Sequence, residues 1–434
     1  MSNIRRFFCA VFLAAILASC GGGAQPSTSP ADSSEGITLD FWYALGGDSG
    51  KVVEELVDQF NQSQSGITVV PTYQGDYTAA MAKIYSAITS DSTPNVIQVG
   101  GAPLLGSSGA LVPMSDLIAN DDSFAADQIH PAFLEYNSVQ GVLWSMPFNN
   151  SVPVLYYNKD LFTAAGLDPE DPPANLDELL AAARQLTLAP DQSGVPAQWG
   201  LNARDDSHWY LSTLFLENGD QIVNDEMTAV TYDSPEAVAM LQQWADWVNQ
   251  DGVMPPNQHS EAQSDFLAGK LGMFMGSSAT LNSLDSNAPF ELGVAVFPAV
   301  GDVQKYPIGG GSLAIFKNSD ERAVQASWEF VKFMTSRDSA AYLATHTGYL
   351  PVYADAFSWP EIQQSIQDEP QRAAAIQALE HVVAIPVFPA LGNSDLALRM
   401  AIQEVELGHS TPQASLEKAK ASVDKSIAEQ AQDQ

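Results

Sequence analysis

Pro147-Phe148-Asn149-Asn150-Ser151-Val152-Pro153-Val154-Leu155-Tyr156-Tyr157-Asn158-Lys159 decides how this chain is divided. Val152 to Tyr157 is β-branched and aromatic, the composition of a buried strand, and polar residues bracket it on both sides. Strand and helix alternate before it, and a second, more helical pattern follows it. A strand that joins two such halves predicts an α/β fold of two lobes with a cleft and a hinge between them.

Upstream, Ile37 to Tyr43 alternates and is rich in β-formers. Asp48-Ser49 offers a helix cap, and Val52, Val53, Leu56, Val57 and Phe60 recur at helical spacing. Strands 66–73 and 94–100 flank a helix over 77–90, and short turns separate all of these elements. That alternation is the mark of a parallel sheet. Downstream, Asn175 with Glu178 forms a capping box, and Ser234-Pro235 opens a helix that Gly252 ends. Further helices are expected over 260–270, 319–336 and 373–384 and after Thr411-Pro412. Strands are expected over 271–275, 290–297 and 307–316.

The N-terminus reads as an address. Arg5 and Arg6 precede an apolar run, Phe7 to Leu17, that is too short to span a bilayer. The pair can serve a Sec or a twin-arginine signal equally well. Leu17-Ala18-Ser19-Cys20 follows and resembles the bacterial lipobox, in which the cysteine is acylated. Residues 1–20 are therefore expected to be a lipoprotein signal peptide, and 21–36, built of small and polar residues, a flexible leash. The chain has two cysteines, Cys9 and Cys20. Removal of the signal leaves no pair for a disulfide, so Cys20 is best explained as the lipid attachment point of an exported protein.

With 52 acidic and 18 basic residues, the net charge is −34. Such a balance argues against nucleic acid or an anionic lipid surface as partner. The histidines show no metal-ligand spacing, and neither a G-x-S-x-G elbow nor a phosphate-cradling P-loop occurs. Neither a metal nor a cofactor is expected. Acidic pairs such as Asp205-Asp206 and Glu54-Glu55 read as solvated surface in so acidic a chain.

Features suited to recognition remain. Gly309-Gly310-Gly311-Ser312 and Gly276-Ser277-Ser278 lie beside strands, where backbone amides and hydroxyls can approach a ligand. Trp42, Tyr43, Tyr77, Trp209 and Tyr349 lie near strand ends and can stack on a polyol or donate hydrogen bonds. Arg399 stands in an otherwise apolar segment. It suits either a structural ion pair or a clamp on phosphate or carboxylate.

Several stretches carry a resemblance over most of the chain. They are Gly75-Asp76-Tyr77, Pro147 to Ser151 leading into VPVLYYNKDLF, Ala165 to Pro169, Ile308 to Ser312, Thr347 to Pro351, and Leu391-Gly392-Asn393 ahead of Arg399. In order and spacing the chain resembles the extracellular solute-binding proteins of ABC importers of the maltose-binding type, and most of all their glycerol-3-phosphate-binding group. The resemblance implies a monomer that is not an enzyme. Such a protein closes over a small-molecule ligand and hands it to permease subunits. It also implies ligand contacts at Tyr77, Ser151, Ser277, Gly310, Tyr349 and Arg399, with Trp209 as a stacking residue. The serines, glycine amide, tyrosine and arginine hold a phosphate in that group. Where the group places an acidic residue for the glycerol hydroxyls, this chain has Gly101. A glycerophosphodiester or sugar phosphate is then expected as readily as glycerol-3-phosphate. A neutral oligosaccharide is the alternative, and an exported hydrolase or a purely structural lipoprotein stands further off. The expected lobes are 37–147 with 278–317, and 148–277 with 318–434.

Overall fold

The computed structural model describes residues 36–190, 194–301, 303–317, 320–386 and 393–432. The expected signal peptide, nearly all of the leash, Cys20 and the Leu391-Gly392 pair lie outside the described residues. Two sheets organise the rest, and the fold is the two-lobed α/β architecture read from the sequence. The first sheet has five strands in the order Ile67–Tyr73, Ile37–Tyr43, Val96–Val99, Gly309–Ile315, Met146–Ser151. Its first three strands are parallel, and the last two join antiparallel. The second sheet orders Leu292–Val296, Pro153–Asn158, Leu271–Ser277, Trp199–Ala203.

Hydrophobic periodicity explains how each sheet is covered. Helix Gly47–Ser63 buries Val52, Val53, Leu56, Val57 and Phe60, the face its spacing predicts. Each such side chain contributes roughly 1.5–3 kcal/mol when removed from water. Its cap differs from expectation: Gly46, with no side-chain cap bond, precedes the helix, and Asp48 lies in the first turn. Asn175 and Ser234 do cap their helices, accepting from Glu178 N and Ala237 N at 3.0 Å each. Helices Ser207–Glu217, Pro235–Asn249, Ser394–Glu406 and Pro412–Gln432 pack on one another. The expected helix over 373–384 is shorter. It runs Ala373–Gln377 and tightens to a 3-10 turn over Ala378–His381, after which Val382–Val383 pairs in parallel with Tyr306–Pro307.

The opening stretch turns out to be two strands, and the lobe boundaries move accordingly. Asn149, Asn150 and Ser151 pair with Gly311, Gly310 and Gly309 in the first sheet, so the chain leaves that sheet at Val152 rather than after Pro147. Leu292–Val296, expected in the first lobe, pairs with Pro153–Asn158 in the second sheet. Helix Glu321–Met334, expected in the second lobe, covers the first sheet. Its Phe330 ring lies 5.1 Å from Phe41 and 5.2 Å from Phe60. Mixed strand order at a sheet edge is set by ladder pairing between distant segments, which local periodicity does not encode. Where the chain crosses, Ser278 N donates to Val152 O at 2.9 Å, and Leu350 N donates to Asn150 O at 2.8 Å. Ser277, Ser151 and Tyr349 are thereby drawn to one place.

Candidate functional site: a cleft with two unlike walls

A cavity of about 600 Å3 opens where the strand ends of both sheets meet. Tyr77, Ser151, Trp209, Ser277, Gly310 and Tyr349 all line it, as does Gly101. Arg399 does not. It is exposed on helix Ser394–Glu406, where its Nε–H donates to His208 Nδ1 at 3.1 Å. His208 does line the cavity, so Arg399 touches the cleft through one intervening side chain.

The wall from the first sheet is held by a chain of amides. Ala44 N donates to Gln98 Oε1 at 2.9 Å, Gln98 Nε2 to Asn149 Oδ1 at 2.8 Å, and Asn149 Nδ2 to the Tyr77 hydroxyl at 2.8 Å. Gln98 and Asn149 are fully buried, and each link satisfies a polar group that would otherwise be costly. Because the Tyr77 oxygen accepts from Asn149, its own O–H is left to donate. The Tyr349 hydroxyl sits against Asn149 and Tyr77, and burial pushes both phenols up, so each stays a neutral donor. Burial also raises Tyr136, to about 12.

Glycines give this wall its shape. Gly310 adopts φ +95°, and a Cβ there would lie 2.0 Å from Asn149 O. A Cβ on Gly309 would lie 2.7 Å from the Trp209 ring and 3.2 Å from Ser151 Oγ. The indole thus approaches bare backbone across the cleft, a contact that only glycine permits.

The wall from the second sheet is charged. Past strand Trp199–Ala203 the chain runs Arg204-Asp205-Asp206-Ser207-His208-Trp209 into helix Ser207–Glu217. Arg204 Nε donates to Asp206 Oδ1 at 3.0 Å, and Nη2 donates to Oδ2, a bidentate pair. Burial on its own would raise the Asp206 carboxyl, but Arg204 reverses this and the net shift is downward. Asp395 Oδ2 lies 3.5 Å from His208 Nε2. Sequence reasoning passed over Arg204, His208, Asp395 and Tyr136, and took Asp206 for solvated surface, whereas it is paired with Arg204 in the cavity wall. The signal for Arg204, Asp206 and His208 was available: they follow directly on the carboxyl end of a strand, where α/β folds bind ligands. Asp395 and Tyr136 carry no comparable local mark.

Phenol hydroxyls, an indole face, serines, one clamped guanidinium and the carboxylates of Asp76, Asp206 and Asp395 line a polar cleft. The model of the bacterial extracellular solute-binding proteins matches residues 55–374. This chain belongs to that family.

Among relatives of this solute-binding protein, the sn-glycerol-3-phosphate-binding periplasmic protein UgpB of Yersinia pseudotuberculosis is 30% identical over 396 residues, covering 87% of this chain and 90% of that protein. The crystal structure of UgpB from Mycobacterium tuberculosis in complex with glycerophosphocholine superposes with a TM-score of 0.81 at 20% identity, over 92% of this chain and all (100%) of that one. A Listeria monocytogenes substrate-binding protein, Lmo0181, in complex with cycloalternan gives 0.79 at 20% identity, over 91% and 100%. These structures carry the same two-lobed, maltose-binding-type fold. Among the described residues of the solute-binding protein, no helix is long and apolar enough to cross a membrane.

Proposed function

We propose that this protein captures a small phosphorylated polyol in the interlobe cleft and delivers it to the permease of an ABC importer. The observation that carries the reading is the convergence of Tyr77, Ser151, Trp209, Ser277, Gly310 and Tyr349 on one cavity. Those positions are separated by long stretches of sequence, and they match the ligand contacts of the glycerol-3-phosphate-binding group. Ser151, Ser277, the Gly310 amide and Tyr349 supply neutral donors for phosphate oxygens. Trp209 offers a face for the carbon skeleton, and Tyr77 donates to a hydroxyl. Arg399 contributes through His208. Gly101 leaves the polyol end without a carboxylate. That favours a substituent larger than free glycerol, such as a glycerophosphodiester or a sugar phosphate.

The transport role carries further parts. Ligand binding shifts a hinge equilibrium towards the closed form, and the permease reads the closed surface. The protein acts as a monomer, exported and tethered by an acyl chain on Cys20, and it binds rather than turns over its ligand. A neutral sugar is the second reading, favoured by the carboxylates of Asp76, Asp206 and Asp395 in the cavity wall, which suit sugar hydroxyls.

A thermal-shift screen separates the two. A ligand that binds only the folded state at a hundred times its dissociation constant adds about 2.7 kcal/mol. Glycerol-3-phosphate, glycerophosphocholine or a hexose phosphate is expected to raise the melting temperature, and maltose and trehalose are not. A rise with neutral sugars alone would overturn the phosphate assignment and keep the fold. Hydrolysis of a chromogenic phosphodiester by the pure protein would overturn the binding role itself.

A further inference from the structure

We propose that Arg204, held in place by Asp206, is a residue that recognises the ligand's negative charge. The inference rests on the phosphorylated-ligand reading above and names the group that makes the cleft selective for an anion.

Arg204 is the single lysine or arginine among the described residues that line the cavity. Its backbone is fixed by the second sheet, since Arg204 N donates to Met275 O at 3.0 Å. Its side chain is fixed by the bidentate pair with Asp206, which engages Nε and Nη2. That leaves Nη1 for a ligand, on a side chain that is 29% exposed. A guanidinium has five N–H donors in a planar fork, so one carboxylate on one edge leaves the other edge able to accept an oxyanion.

Asp206 acts as a positioning residue. With both oxygens turned onto Arg204, the carboxylate is 19% exposed and its charge is spent on the guanidinium. The clamp also fixes the arginine before the ligand arrives, which removes much of the cost of ordering a long side chain on binding. Neighbouring donors complete the anion site. Strand Leu271–Ser277 pairs with the strand that ends beside Arg204, so Ser277 lies close by. The guanidinium also acts electrostatically on the Tyr349 phenol. An anion bridging Ser277 and Tyr349 therefore sits within the field of Arg204. Arg399, exposed and bonded to His208 Nδ1, stands one side chain away from this part of the wall.

Isothermal titration of the purified protein tests this, with glycerol-3-phosphate and glycerophosphocholine as anionic probes and maltose as the neutral one. Arg204→Gln is expected to weaken the best anionic probe by about 30- to 100-fold, the range for losing a charge-assisted hydrogen bond. Arg204→Lys keeps the charge without the fork and is expected to lose about tenfold. Asp206→Asn frees the guanidinium and is expected to lose roughly fivefold, with a steeper dependence on salt. Circular dichroism on each variant checks that it is folded.

If Arg204→Gln leaves anion affinity within threefold while Ser151→Ala and Tyr349→Phe weaken it, the ligand reading stands and the role of Arg204 is overturned. If Arg204→Gln and Arg204→Lys weaken maltose as much as the anions, the residue serves hydroxyls and the inference also fails. If the wild-type protein binds maltose and no anionic probe, the reading fails first and takes the inference with it.

Discussion

The two walls of the cleft are built on opposite plans. The wall from the first sheet is internally saturated, with Asp76 as its one charged lining residue among those described: Ala44, Gln98, Asn149 and Tyr77 pass hydrogen bonds in sequence, and Gly309 and Gly310 let backbone come close. The wall from the second sheet carries Arg204, Asp206, His208 and, on a neighbouring helix, Asp395. One wall defines a shape that cannot be changed without disturbing the sheet behind it. The other defines a charge pattern on side chains that stand partly in solvent. The difference predicts that substitutions in the first wall act mainly on stability, and those in the second mainly on affinity.

Gly310→Ala is the hardest test of the rigid wall. The new methyl would lie 2.0 Å from Asn149 O at φ +95°, so both steric overlap and backbone strain oppose it. A loss of more than about 3 kcal/mol in unfolding free energy is expected, read by chemical denaturation. A variant as stable as wild type would mean that the strand register at Gly310 differs from the one described here.

Asn149→Ala comes next. It removes the middle of the amide chain and leaves Gln98 Nε2 and the Tyr77 oxygen without their partner. Buried groups stranded in this way cost about 2–4 kcal/mol together. Tyr77 should also lose its fixed orientation, so affinity should fall with stability. A loss of affinity with no change in the denaturation midpoint would break the distinction between the walls.

How much of this was legible in the sequence depended on whether a signal was local. Helix Gly47–Ser63 and the capped starts at Asn175 and Ser234 were readable, because spacing and capping chemistry lie within one turn. The lobe boundaries were not, because the placement of Leu292–Val296 depends on a ladder formed with residues more than a hundred positions away. The same division runs through the site. Gly310, Ser277 and Tyr349 carried motifs of their own, whereas Asp205-Asp206 looked like surface acid in an acidic chain. Folding half-buries Asp206 against Arg204 and leaves Asp205 exposed. Arg399 stands apart from both: it is exposed on helix Ser394–Glu406 and meets the cleft wall through His208.

The helix that carries the charged wall has a second consequence at its other end. Glu217 closes helix Ser207–Glu217, is 3% exposed, and has no side-chain hydrogen-bond partner among the described residues. Burial pushes its carboxyl up to about 8, with the nearby amides of Lys305 and Val300 opposing the shift. The folded state therefore holds this proton more tightly than the unfolded chain. The associated stability is complete below the usual carboxylate pKa and is lost as pH rises towards 8. Glu217→Gln should remove that slope, making the variant more stable than wild type at pH 8 by about 2 kcal/mol and nearly equal to it at pH 4. Parallel pH profiles for the two proteins would show that Glu217 is not the titrating group.

Arg399→Ala carries the smallest expected effect and sharpens the comparison most. The side chain is exposed, and its recorded bond is to His208 Nδ1. That bond makes Nδ1 the acceptor and places the ring proton on Nε2, facing Asp395 at 3.5 Å. Removing the guanidinium frees the ring to exchange tautomers but strands no buried charge. Stability should change by less than about 0.5 kcal/mol, and affinity for a phosphorylated ligand should fall by no more than about fivefold. Nitrogen-15 spectra of the imidazole should show the Nε2–H tautomer in wild type and a mixture in the variant. A hundredfold loss of affinity with an unchanged tautomer would place Arg399 on the ligand itself. The closed protein would then carry a cation at the rim that this arrangement of the walls holds back.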